Sequence, residues 1–176
     1  MNIVISFSGR ENGNCESISK FISSNKDSVI HFRDLDVHDC SGCNYECFDG
    51  YCKYHQDDIF SLYEKTLHCD KIFLIVPMYC GNPSSLYFKF IERGQDFFMH
   101  NGEQYETFVS KLYIIGIYGD KDKTPDFIPS LAKWFDGIPS KNHILGIERH
   151  RYYQKITDNI LDVEEVRNLI TCFVQQ

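Results

Sequence analysis

Apolar residues along this chain follow two rhythms, short unbroken runs and longer stretches that repeat every three to four positions. Residues 2–7 are apolar and β-branched and stop at a Ser/Gly turn, whereas residues 14–22 place Ile18, Phe21 and Ile22 at helical spacing. The pair predicts a strand, a loop and a helix. Residues 28–32 predict a second short strand. A helix over about residues 57–67 follows, with Ile59, Leu62, Tyr63 and Leu67 on one face and Asp57 or Asp58 as its N-cap. Residues 71–76 form a continuous apolar run that stops at Pro77, the pattern of a strand covered on both faces. A helix over residues 84–99 carries a wide stripe of Leu86, Tyr87, Phe90, Ile91, Phe97 and Phe98. Residues 112–118 read as another buried strand closed by Gly119-Asp120, residues 126–135 as a helix, residues 144–147 as a fifth strand and residues 162–173 as the last helix.

Strands alternating with helices imply a parallel sheet with right-handed crossovers. Five strands and about five helices fit an α/β chain with a flavodoxin-like, doubly wound, five-stranded parallel sheet and helices on both faces. In that arrangement ligands bind outside the carboxyl ends of the strands. The distinctive segments cluster at that edge: residues 8–14, 40–52, 77–85 and 118–120 each follow a predicted strand. No linker or repeat divides residues 1–176, so a single domain with a cysteine-rich loop at 40–52 is expected.

Composition narrows the partners. A net charge of −7 argues against a nucleic-acid binder, which presents a basic face. No apolar run approaches the ~20 residues that span a bilayer, and no basic leader precedes the first strand, so a cytoplasmic protein without a membrane partner is expected. Eight cysteines without a secretory signal read as thiols, ligands or small buried hydrophobes rather than a disulfide framework. Cys69, Cys80 and Cys172 stand in or beside apolar segments and fit the last of these.

The first candidate site is Ser8-Gly9-Arg10-Glu11-Asn12-Gly13-Asn14, a polar turn between strand and helix. A helix N-terminus offers unpaired N–H groups and about half a positive charge, which suits a phosphate. Asn12 and Gly13 tolerate left-handed backbone, Ser8, Asn12, Asn14 and Cys15 carry short polar side chains, and Arg10 supplies a cation. Neither Gly-x-Gly-x-x-Gly nor Gly-x4-Gly-Lys-Ser/Thr is present, so a mononucleotide phosphate fits better than a dinucleotide or a triphosphate. Glu16 in the first turn counts against it by repulsion, and an ordinary polar turn is the plain alternative.

The second is Pro77-Met78-Tyr79-Cys80-Gly81-Asn82-Pro83-Ser84, which ends the most apolar strand with an aromatic residue and a glycine. A flavin ring needs a flat neighbour, for which Tyr79 is the candidate, and nearby backbone N–H groups. Ser84 reads equally as a helix N-cap. The third is Cys40-x2-Cys43-x3-Cys47-x4-Cys52. Four thiols on one loop can hold an iron–sulfur cluster, a tetrahedral zinc, or neither, with His55 as a substitute ligand. The segment Arg149-His150-Arg151-Tyr152-Tyr153 reads as a solvated loop, with a nicotinamide-phosphate clamp or a contact to a neighbouring subunit as the functional alternatives.

Taken together, the turn at Ser8–Asn14, Cys40-x2-Cys43, Cys52 with Asp57-Asp58, and Pro77-Met-Tyr79-x-Gly81-x-x-Ser84 continuing to Lys89-Phe-Ile-Glu92-Arg93 resemble the NAD(P)H-dependent FMN reductases, and among them the iron–sulfur flavoproteins. The resemblance runs in order from residue 2 to about residue 120. It implies FMN with its phosphate at Ser8, Arg10, Asn12, Asn14 and Cys15. The ring would lie against Pro77, Met78, Tyr79, Gly81, Asn82 and Ser84 on one side and Tyr118 and Gly119 on the other. It also implies NAD(P)H as hydride donor, a 4Fe-4S cluster or Zn at Cys40, Cys43, Cys47 and Cys52, and a homo-oligomer, dimer or tetramer, using part of the 84–99 stripe. An electron-transfer protein shuttling between partner proteins is the alternative activity. No catalytic side chain is expected, because the cofactor carries the hydride chemistry. The chain departs from the family pattern at Gly9, where Pro is frequent, at Cys15, where Thr is frequent, and in the three-residue gap between Cys43 and Cys47.

Overall fold

The structure, a computed structural model, describes residues 1–50, 52–135 and 141–176. Five parallel strands, β1 (Ile3–Ser6), β2 (Ser28–His31), β3 (Ile72–Tyr79), β5 (Leu112–Tyr118) and β6 (Ile144–Glu148), lie in the order β2-β1-β3-β5-β6. A sixth, β4 (Asn82–Pro83), pairs antiparallel with the end of β3 through a tight turn at Cys80 and Gly81, both at positive φ. The expected five-stranded parallel sheet is therefore present with a short hairpin added. β4 escapes a periodicity reading because two residues have no period.

Side chains alternate across every strand, and both faces are apolar. On one face Ile3, Ile5, Ile72, Leu74, Leu112 and Ile114 pack under α2 (Asp58–Leu67), α3 (Ser85–Phe98), α4 (Gly102–Ser110) and α5 (Phe127–Ala132). On the other, Val4, Phe73, Ile75, Ile115 and Ile147 pack under α1 (Asn14–Ile22) and α6 (Glu164–Val174). This two-sided cover explains the unbroken apolar runs of β3 and β5. Helix α5 sits unusually close to the sheet. A Cβ on Gly116 would stand 2.7 Å from Leu131 and one on Gly146 2.9 Å from Ile128, and the two glycines face each other in register.

The wide stripe on α3 finds its partners within the chain. Tyr87, Phe90 and Phe98 are buried, Tyr63 of α2 stacks on Phe90 at 4.7 Å, and Phe108 of α4 meets Phe98 at 5.1 Å. Helix α4 was not expected from the sequence, since a stripe of Tyr105, Phe108 and Val109 is too short to declare itself. Phe88 and Trp134 remain partly exposed on the outer side.

Strand β3 continues through Pro77 rather than stopping there, and the backbone accounts for it. Phe7 donates to the Ile75 carbonyl at 3.0 Å, so the next rung of that parallel ladder would run from residue 77 to the Phe7 carbonyl. Proline has no N–H to give. The Ser84 hydroxyl donates to that carbonyl instead, at 2.8 Å, while accepting from the Tyr87 N–H as the N-cap of α3.

Candidate functional site

The order in which strands are added reverses between β1 and β3: one connection leads outward to β2, the next to the far side of β1. Such a switch point opens a crevice at the carboxyl ends of the strands. A cleft is found there, walled by Ser8, Arg10, Gly13, Asn14 and Cys15 after β1, Pro77, Met78 and Tyr79 at the end of β3, and Ile117, Tyr118 and Gly119 at the end of β5. Arg149 and Ile156, from the segment after β6, complete it.

The floor on the β1 side is the start of α1. Gly13 is the N-cap and no side chain caps the first turn, so its N–H groups face the cleft without a protein acceptor from a capping residue. Asn12 takes a left-handed conformation, φ 53°, whereas Gly13 is extended. Ser8 is buried and folds the turn on itself, its hydroxyl accepting from the Arg10 N–H at 3.1 Å and donating to the Arg10 carbonyl at 3.2 Å. Asn14 borders the cleft but commits its side-chain oxygen to the Ile160 N–H at 2.9 Å. Cys15 packs in the core layer of α1 and α6, and burial pushes its thiol up to about 12, so it remains a neutral S–H.

Glu16 does not repel an anion here. Its carboxylate takes Lys20 at 2.8 Å, the Asn12 N–H at 3.0 Å and the Arg33 guanidinium at 3.4 Å. The Lys20 hydrogen bond, then the Asn12 N–H, hold its pKa at about 2. Arg33, which no sequence pattern singles out, also donates to the Arg10 carbonyl at 3.0 Å and so braces the turn from beneath. Only a fold that brings residue 33 under residue 10 reveals that role.

The ring side is mixed. Tyr79 is 37% exposed at the mouth, and Tyr118 is buried against Phe127. Gly81 and Asn82 belong to the hairpin turn, and Ser84 is spent on the Phe7 carbonyl and the α3 cap; none of the three borders the cleft. A larger cavity of about 610 Å³ lies elsewhere, between α3 and α4 with Trp134 and Phe135, and shares no lining residue with this cleft. Its aromatic walls offer no set of donors for a phosphate.

The cysteine loop is arranged differently from expectation. Cys40 is exposed, Cys43 half-buried, and Cys47 and Cys52 buried. Among the described residues no three of His, Cys, Asp and Glu converge to hold a metal ion, so the expected four-cysteine cluster or zinc cage is not assembled. One of the four, Cys52, meets Arg93. Its fully buried guanidinium donates to Asp57 at 2.6 Å, Asp96 at 3.1 Å, the His38 carbonyl at 2.8 Å and the Cys52 Sγ at 3.3 Å. Cys52 is turned inward into that network, where burial first and then Asp96 raise its pKa despite the Tyr54 N–H at 3.4 Å. His55 hydrogen-bonds through Nδ1 with the Cys52 carbonyl at 2.9 Å. Asp57 is the N-cap of α2, as the sequence suggested, and Asp58 accepts from the Asp36 N–H.

Solved structures share this architecture from end to end. The Trp repressor binding protein of Bacillus subtilis superposes over 100% of this chain and 98% of its own, with a TM-score of 0.69 at 16% identity. The fold is that of the flavodoxin-like proteins. An FMN-dependent NADH-azoreductase of Bacillus anthracis, solved with FMN, superposes over 98% of each chain with a TM-score of 0.62 at 10% identity. In sequence, an iron–sulfur flavoprotein of Archaeoglobus fulgidus is 33% identical over 67 residues, 38% of this chain. The match spans about a third of that protein, 32% of its length. No family model matches the chain. Among the described residues, no helix is long and apolar enough to cross a membrane.

Proposed function

We propose that this flavodoxin-like chain is an FMN-dependent oxidoreductase that takes hydride from NAD(P)H and reduces an acceptor. One observation carries the reading: the uncapped N-terminus of α1 opens into a cleft at the β1/β3 switch point with Arg10 and Arg149 on its walls. First-turn N–H groups and a cation are the donor set a phosphate monoester needs. A crevice at this switch point is also where the flavodoxin-like topology takes FMN. The names of the structural relative with FMN and of the iron–sulfur flavoprotein support the same cofactor class.

FMN, when bound, would accept hydride and hand electrons onward. The protein's part is placement. Arg10 and the α1 amides would hold the phosphate, with Ser8 fixing the turn that presents them and Arg33 and Lys20 keeping the Glu16 charge engaged below it. Pro77, Met78 and Tyr79 would support one side of the ring, and Tyr118 with Gly119 the other. Tyr118 stays a neutral phenol, since burial and then Glu148 raise its pKa. Among the described residues the four cysteines do not converge on a metal site, so the reading rests on the flavin alone. A homodimer would use the outer side of α3, where Phe88 and Trp134 are exposed.

The test is purification without air, an absorbance spectrum, and NADH and NADPH oxidation with FMN supplied. Bound flavin and turnover with either nicotinamide support the reading. Protein that purifies colourless and fails to quench FMN fluorescence would overturn it.

A further inference from the structure

We infer that Arg149 is the residue that stabilises the reduced flavin and thereby sets its potential, a step that rests on the FMN reading above. The sequence places Arg149 in what reads as a solvated loop. The structure fixes it at the cleft instead. Its N–H donates to the Tyr118 carbonyl at 2.9 Å, extending the β5–β6 ladder, and its carbonyl accepts from Tyr152 and Gln154, both at 3.1 Å. The side chain then folds back over β5. A Cβ on Gly119 would stand 3.9 Å from Arg149 Nη2, 3.8 Å from His150 Nε2 and 3.9 Å from Met78 Cε. The guanidinium therefore lies against the Cβ-less Gly119, near Met78, where the ends of β3 and β5 wall the cleft.

Its charge has no counterion among the described residues. Among the described residues no carboxylate comes within 4 Å of it, although acids are nearby and engaged elsewhere. Asp120 faces His150 and Lys123, Glu148 accepts from the Lys121 N–H at 2.9 Å, and Glu165 pairs with Arg151 at 3.1 Å. A half-buried cation pointing into a cleft with no partner is suited to an anion that arrives with the ligand. The phosphate is poorly placed to be that anion. Gly119 closes β5, two strands from β1, and two spacings of about 4.8 Å put it roughly 10 Å from the α1 terminus.

Flavin chemistry supplies the other candidate. Hydride transfer adds two electrons and one proton to the ring. Unless a second proton follows, the product carries one negative charge, shared between N1 and the C2 carbonyl oxygen. The oxidised ring has no such charge. A fixed guanidinium at that edge therefore binds the reduced form more tightly than the oxidised form, and charge near N1 is one of the means by which a protein tunes this cofactor.

The experiment compares the wild type, R149Q and R149K, each loaded with FMN under anaerobic conditions. Two quantities are read: the Kd for oxidised FMN by fluorescence quenching, and the midpoint potential by equilibration with a reference dye. For R149Q the expectation is an oxidised-FMN Kd within about twofold of wild type and at least a tenfold loss of preference for reduced flavin. That loss is a midpoint lower by about 30 mV for a two-electron couple. R149K should recover most of it, and riboflavin in place of FMN should show the same shift. Equal midpoints in wild type and R149Q overturn the inference while leaving the FMN reading intact. A loss of FMN affinity in R149Q that disappears with riboflavin also overturns it, making Arg149 a phosphate ligand. Wild-type protein that binds no FMN overturns both.

Discussion

At the scale of single residues, the cleft depends on side chains whose work is hidden from a linear reading. Glu16 looks hostile to a phosphate and is in fact neutralised. Its pKa falls to about 2 from an ordinary 4.5, so the folded state binds that proton more weakly than the unfolded chain. The stability it contributes is thus complete above pH 4.5 and is lost as pH falls through about 2. E16Q should be less stable than wild type by about 1–2 kcal/mol at pH 7, with the gap narrowing below pH 4.5; urea unfolding at both ends of that range measures it. Ser84 makes a second case. Its sequence context suggests a cap or a flavin contact, and the cap is there, but its hydroxyl also replaces the N–H that Pro77 lacks. S84A should cost about 2–3 kcal/mol, from a lost cap and a buried, unpaired Phe7 carbonyl. S84T should recover part of that cost. An S84A protein as stable as wild type in urea would show that the Phe7 carbonyl finds another donor.

At the scale of elements, strands and long helices are legible because their apolar periods are local, whereas the arrangement of the cysteine loop depends on a distant residue that spacing does not reveal. Arg93 enters the sequence reading only as part of the Lys89–Arg93 segment that carries the family resemblance, with no partner assigned. Its partners Asp57 and Cys52 lie 36 and 41 positions earlier. The guanidinium thereby fastens His38, Cys52, Tyr54 and Asp57 to α3 and holds the Cys52 sulfur inward. The four-thiol spacing alone could not show this. R93M should leave Asp57 and Asp96, with side chains only 2% and 4% exposed, as buried carboxylates without a cation. Breaking such a group costs about 3–5 kcal/mol. The loop should loosen with it. In wild type, alkylation at neutral pH followed by mass spectrometry should label exposed Cys40, Cys80 and Cys172 well before Cys47 and Cys52. In R93M the last two should join the fast class. Labelling of Cys52 as fast as Cys40 in the wild type would contradict the network as described.

At the scale of the whole molecule, the parallel sheet brings the segments after β1, β3, β5 and β6 around one cleft at its carboxyl edge. The alternation of strands and helices made this edge readable from sequence, as did the clustering of polar turns after strands. Arg149 was not readable as part of it, because only the order β5-β6 brings residue 149 beside residue 119. A ligand reaching from the α1 terminus to Gly119 would bridge loops that otherwise touch only through the sheet. Its binding energy must then appear as stability of the whole domain, since the unfolded chain offers no such cleft. FMN at about a hundredfold above its Kd should add about 2.7 kcal/mol. For a chain of this length each kcal/mol raises Tm by about 2–4 °C, which gives a rise of about 5–10 °C. Riboflavin at the same concentration should produce a smaller rise, because the α1 terminus and Arg10 then lack their anion, and inorganic phosphate alone should produce a smaller one still. Equal shifts with FMN and riboflavin would detach the phosphate from α1 while leaving a ring site in place. No shift with any of the three would show that this edge binds another class of ligand altogether.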